Sequence, residues 1–301
     1  MRARVLGSAA GGGFPQWNCR CRTCEAARTG RSARPRTQSS LAIRGADGPW
    51  YLANASPDLR QQLEGLRPDR AHDVRAAPMA GILLTDAEID HTAGLLLARE
   101  SSTALQVYGS EAVRRALADG YPVLSVLDHY CGVEWHTLEP ERSLALDGSP
   151  LEVESFPAGG DAPRYLRENS PPGPDVEAIG LTFRDRVTGG VLTYVPGLAR
   201  LDDAVLERLE ASDAVLVDGT FWSEHELVDL GISDRTAAQM GHVPLSGEGG
   251  TLEALAELKR PRKILVHINN TNPVLLEDSP EREAVVRSGV EVGYDGLELE
   301  L

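Results

Sequence analysis

The chain has 301 residues, 42% of them hydrophobic and 25% charged, enough for a sizeable buried core but with no apolar run long enough to span a bilayer. Its formal net charge of −15 repels phosphate and argues against nucleic acid as a partner. The opening MRARVLGSAAGGGFPQW lacks the apolar core of a signal peptide, so the expected compartment is the cytoplasm, without membrane insertion.

The charge is unevenly spread. Residues 1–44 hold nine arginines and one acidic residue, Glu25, so this basic end either pairs with the acidic body or faces an anionic substrate. RARVLG reads as a strand running into a glycine-rich turn that lacks the lysine and hydroxyl of a phosphate loop. Within NCRCRTCE, Cys19, Cys21 and Cys24 form a C-x-C-x-x-C array, and three soft thiolates so close together predict a structural Zn(II) clip over 19–24. SSLAIRG and WYLANAS predict paired strands around the turn ADGP.

AGILLT (80–85) predicts a buried strand and TAGLLLARES (92–101) the helix after it. A mixture of short strands and helices follows. Residues 159–177 are too rich in proline, glycine and charge for a core element and predict a loop or lid. LDDAVLERLEASD predicts a helix, and AVLVDGT (214–220) and KILVHINN (263–270) predict two apolar strands, each ending in polar residues. The whole predicts one α/β domain over 1–301, with layered sheets, helices outside them, and polar groups collected at strand ends.

Between AGILLT and its helix lies TDAEIDH. An extended 85–89 places Asp86 and Glu88 on one side, with Asp90 and His91 presented by the turn beyond. Carboxylates with an imidazole suit iron, manganese or zinc, and two histidines with one carboxylate suit non-haem Fe(II). The further ligands must come from elsewhere, and Asp218 and His267 stand at two strand ends. Asp86 or Asp90 capping the helix, and Asp218 anchoring a turn, are the alternative structural roles.

LLTDAEIDHTAGL resembles the signature of the metallo-β-lactamase superfamily, His-x-His-x-Asp-His followed two residues later by glycine. Asp90, His91 and Gly94 keep that pattern, whereas Asp86 and Glu88 stand in place of the first two histidines. The resemblance implies an αββα sandwich, a metal-bridging aspartate at Asp218 and a final histidine ligand at His267. A further histidine expected near VESFPAGGDAP is absent, which cripples one metal position, leaves the other, and argues against ordinary two-zinc hydrolysis.

GSAAGGGFPQWNCRCRTCEAAR, LLTDAEIDHTAGLLLARE, VDGTFW, MGHVPLSG and HINNTNP together resemble the pyrroloquinoline quinone (PQQ) biosynthesis protein B family. That resemblance implies a cytoplasmic enzyme performing iron- and oxygen-dependent hydroxylation of the tyrosine ring in a peptide-derived Glu-Tyr unit. Asp90, His91 and His267 would then surround Fe(II), and Asp86, Glu88 or Asp218 would complete the shell, bind a second ion or move protons. His242 matches a loop histidine that reaches the active site of related phosphodiesterases, and is the acid–base candidate. Arg164 and Arg167 are candidates for holding a substrate carboxylate. Asn270 occupies the place of a histidine that supplies the fourth clip ligand in relatives. The alternatives are a carrier of PQQ or its precursor toward the periplasm and a zinc-dependent hydrolase; a homodimer is among the expected assemblies.

Overall fold

The computed structural model describes residues 1–66, 75–160, 162–166 and 178–301. Arg167 and most of the lid expected over 159–177 lie outside the described residues.

Among the described residues, two seven-stranded sheets face each other. The first contains β1 (Arg2–Gly7), β2 (Ser40–Arg44), β3 (Trp50–Ala53), β4 (Met79–Leu83), β5 (Leu105–Gly109) and β6 (Val133–Thr137). The second contains β7 (Ser143–Ala145), β8 (Leu151–Gly159), β9 (Ala178–Asp185), β10 (Val191–Val195), β11 (Ala214–Asp218), β12 (Arg262–Val266) and β13 (Val290–Val292). The last strand, β14 (Glu298–Glu300), returns to the first sheet beside β1. The orders are β14-β1-β2-β3-β4-β5-β6 and β7-β8-β9-β10-β11-β12-β13. In both sheets four strands pair antiparallel and the next three add in parallel.

The two-residue period of the apolar strands explains the layering. In β11, Ala214 and Leu216 face the other sheet, while Val215 and Val217 face the outer helices. In β12, Ile264 and Val266 point inward and Leu265 outward. The helices Asp203–Glu210, Thr251–Glu257 and Pro280–Arg287 close that outer face with Leu209, Leu255 and Val285. Leu59, Leu95, Val113 and Leu127 cover the outer face of the first sheet. Three apolar layers therefore separate four layers of structure, the expected αββα sandwich.

The paired strands around ADGP form as β2 and β3. The expected helix after AGILLT is broken instead into a short α-turn, Ile89–Thr92, and a 3-10 turn, Ala93–Ala98. Gly94 packs so closely on the chain at 55–56 that a Cβ there would lie 2.2 Å from the Ser56 carbonyl oxygen. The basic amino-terminal end pairs with the acidic body: Arg2 meets Glu300 at 2.8 Å and Arg34 meets Glu277 at 3.2 Å. Among the described residues no helix is long and apolar enough to cross a membrane.

Candidate metal centre

The carboxyl ends of β4, β11 and β12 open onto one cavity of about 340 Å³, whose floor includes Asp86, Asp90, His91, His242 and His267. Strand ends in layered α/β folds collect such sites because the backbone stops pairing there and polar groups turn into the crevice.

After β4 the chain is pinned by Asn54, whose side chain receives the Thr85 N–H and donates to the Thr85 hydroxyl, both at 3.0 Å. Asp86 is buried and its two oxygens lie 2.8 and 2.7 Å from Nδ1 of His91. An ionised carboxylate only accepts, so Nδ1 carries the hydrogen. Nε2 of His91 is then buried with no hydrogen-bond partner among the described residues. Glu88, exposed at the start of the short helix, does not share the buried setting of Asp86. The strand ends at Leu83, so the strict alternation expected over 85–89 does not continue.

The Asp90 carboxylate oxygen lies 3.7 Å from Nε2 of His91 and 3.4 Å from Nε2 of His267. Glycine at position 11 lets the amino-terminal turn approach, since a Cβ there would stand 3.2 Å from the Asp90 carboxylate. Donor atoms of Asp90, His91 and His267 all lie within 4.8 Å of one another, as do those of Asp218, His242 and His267. Burial works against ionising Asp90, but His91 and His267 outweigh it and hold the carboxyl below its usual range. Burial likewise pushes His267 down, but Asp218 and Asp90 outweigh it and raise the ring to about 10. The site thus favours positive charge at its centre, and a buried imidazole nitrogen beside a carboxylate suits a divalent cation.

Asp218 is fully buried at the end of β11. It receives the backbone N–H of Leu198 at 3.0 Å and of Thr220 at 2.9 Å, and lies 2.5 Å from Nδ1 of His242. His267 follows β12 in a left-handed conformation, φ 54°, and its Nδ1 meets the Thr220 hydroxyl at 2.8 Å. Sequence reasoning passes over Thr220, although a hydroxyl two residues after a strand-end aspartate is a usable signal. It also missed Arg235, which lines the cavity with Arg164 and stands in a loop with no motif to mark it.

Cys19, Cys21 and Cys24 form the second cluster, with all three sulfurs within 4.8 Å of one another. Asn270 stands beside it, its side-chain amide nitrogen 3.3 Å from Sγ of Cys24 and 3.8 Å from Sγ of Cys21. The Nδ2 end of that amide faces the sulfurs and donates to them. Burial pushes the Cys24 thiol up to about 12, a shift that a coordinated cation reverses.

A family described as the beta-lactamase superfamily domain matches residues 49–268. Coenzyme PQQ synthesis protein B of Cupriavidus taiwanensis is 50% identical over 306 residues, covering 99% of both chains. The protein of the same name from Methylococcus capsulatus is 47% identical over the full length of both. The crystal structure of Zn(2+)-bound PqqB from Methylobacterium extorquens superposes with a TM-score of 0.89 at 35% identity, covering all of both chains.

The zinc in that relative corrects the expectation of Fe(II) and oxygen-dependent hydroxylation. Zn²⁺ has no accessible redox couple, so it cannot supply electrons to oxygen. The oxidoreductase and hydroxylase readings fall with the iron, and the relatives' names speak of synthesis rather than transport. The full-length likeness and the shared fold place this chain in the coenzyme PQQ synthesis protein B family, within the β-lactamase superfamily.

Proposed function

We propose that the chain serves PQQ biosynthesis as a mononuclear zinc hydrolase. Asp90, His91 and His267 hold the ion, and the cavity accepts a small, acidic, peptide-derived precursor such as a Glu-Tyr unit. The observation that carries this reading is Nε2 of His91, buried and without a hydrogen-bond partner among the described residues, on a ring whose other nitrogen is committed to Asp86. Asp86, engaged in this way, does not stand free to replace the superfamily histidine as a ligand, and the other donor set, Asp218, His242 and His267, shares His267 with the first.

Zinc at this position supplies Lewis acidity and brings a bound water into the neutral pKa range. His242, 16% exposed and held at Nδ1 by Asp218, turns its other nitrogen to the cavity to take or return a proton. Arg164 and Arg235 line the cavity and provide charge-assisted hydrogen bonds to substrate carboxylates. The net reaction adds one water across an amide bond, releasing a carboxylate and an amine. Oxygen has no place in this chemistry.

The test is to load the protein with zinc, add Glu-Tyr and longer glutamate- and tyrosine-containing peptides, and record product masses for wild type and His91→Ala. Cleavage with gain of one water, lost in the variant, supports the reading. Saturable binding without turnover assigns the cavity to holding the precursor unchanged, and neither binding nor turnover overturns the proposal.

A further inference from the structure

Three histidine rings line the centre, and two of them meet a carboxylate directly at Nδ1: His91 with Asp86 and His242 with Asp218. The third does not. Nδ1 of His267 is 3.8 Å from Oδ1 of Asp218, too far for a hydrogen bond. The Thr220 hydroxyl stands between them, 2.8 Å from the ring nitrogen and 2.5 Å from the carboxylate oxygen.

A hydroxyl has one hydrogen to give, and an ionised carboxylate can only accept. The competing acceptor, the His267 carbonyl, is neutral and farther away at 2.9 Å, so the hydrogen goes to Asp218. The hydroxyl oxygen must then accept from His267, which puts a hydrogen on Nδ1 and leaves Nε2 facing Asp90. Thr220 is well placed for this. It is 4% exposed, its N–H donates to the same Asp218 oxygen at 2.9 Å, and its carbonyl accepts from Asn269 N–H at 3.1 Å. Its β-branched side chain has few rotamers to lose.

Asp218 is saturated by these contacts. Oδ1 receives the Thr220 N–H and hydroxyl, and Oδ2 receives the Leu198 N–H and His242 Nδ1–H. Four donors occupy the lone-pair positions a carboxylate offers.

We propose that Thr220 is a positioning residue through which Asp218 orients His267, so that one buried carboxylate sets two rings at once, His242 directly and His267 through a hydroxyl. The functional meaning rests on the zinc reading above; the hydrogen-bond relay does not. Orienting contacts of this kind hold a ligand's tautomer and ring direction, and their loss weakens metal affinity roughly 10–100-fold.

The experiment compares wild type, Thr220→Val and Thr220→Ser in two measurements. The first is zinc affinity at the histidine centre, by chelator competition on protein whose cysteine clip is already filled. Thr220→Val is expected to bind roughly 10–100-fold more weakly, and Thr220→Ser, which keeps the hydroxyl, to recover most of that loss. The second is NMR of the metal-free protein with ¹⁵N-labelled histidine. A slowly exchanging Nδ1 proton on His267 is expected in wild type and Thr220→Ser and is expected to be lost in Thr220→Val.

A purely structural role for Thr220 lowers the melting temperature of the valine variant but leaves zinc affinity and the ring proton unchanged, which overturns the proposal. So does a wild-type His267 with no protected Nδ1 proton, a result that stands even where the valine variant fails to fold. Failure of wild type to take zinc at the histidine centre sinks the metal reading alone, since the ring-proton measurement decides the relay without metal.

Discussion

Asp86 grips Nδ1 of His91 with both carboxylate oxygens, at 2.8 and 2.7 Å, and leaves Nε2 of the same ring buried and free to ligate. The residue that replaces a superfamily histidine has thus become the support of its neighbour. Asp86→Asn keeps the shape but removes the charge and one acceptor. The expected result is a roughly 10–100-fold loss of zinc affinity at the histidine centre, measured by chelator competition, with zinc at the clip unchanged.

The clip separates from the centre in the same way. Cys24 is fully buried and its sulfur lies 3.3 Å from the Asn270 amide. Cys24→Ser is expected to lose one equivalent of zinc by metal analysis while the histidine centre still loads. The melting temperature should fall by about 3 °C or more, the scale of roughly 2 kcal/mol in a chain of this size.

Arg164 and Arg235 face the cavity without an ion-pair partner among the described residues, in a chain otherwise rich in such pairs. If they receive substrate carboxylates, Arg235→Leu weakens precursor binding by roughly 1.5–3 kcal/mol, about 10–100-fold, without altering zinc affinity. Titration calorimetry with a glutamate-containing peptide and with its amidated analogue provides the comparison. Equal losses for both peptides would assign Arg235 to shape rather than charge.

Glu226 is buried, receiving the Trp222 N–H at 2.7 Å and the Thr271 hydroxyl at 2.5 Å. Burial outweighs these bonds and raises its carboxyl from 4.5 to about 7. With the folded value above the unfolded one, its contribution is fully present below about pH 4.5 and is lost as pH rises through about 7. Denaturant unfolding of wild type should therefore show roughly 1–3 kcal/mol less stability from this group at pH 8.5 than at pH 4.5. Glu226→Gln should flatten that component; an unchanged slope would clear Glu226 of responsibility.

The layering was legible because β11 and β12 are apolar on both faces and end abruptly in Asp218 and His267, a pattern that depends only on local residue order. The cysteine cluster was legible for the same reason. Thr220 and Arg235 were not, because their meaning comes from neighbours remote in sequence: the hydroxyl matters only once His267 lies beside it, and the guanidinium only once β4 and β11 share a cavity. The broken helix after Asp90 was not legible either; where it breaks, Gly94 packs closely on residues 55–56, likewise a tertiary contact. The metal was misjudged for a chemical reason, since two imidazoles and a carboxylate serve iron and zinc alike.

The return of β14 to the first sheet, with Leu299 opposite Ala3, ties together residues from the two ends of the sequence. Pairing residues so distant in sequence makes for high contact order and slow folding. The histidine centre, drawn from 90–91, 218–220, 242 and 267, is absent from either half of the chain alone. Asp90 and His91 must therefore meet His267 across the two halves before all three can hold one ion, so uptake of the ion by these three residues reports that the halves have closed on each other.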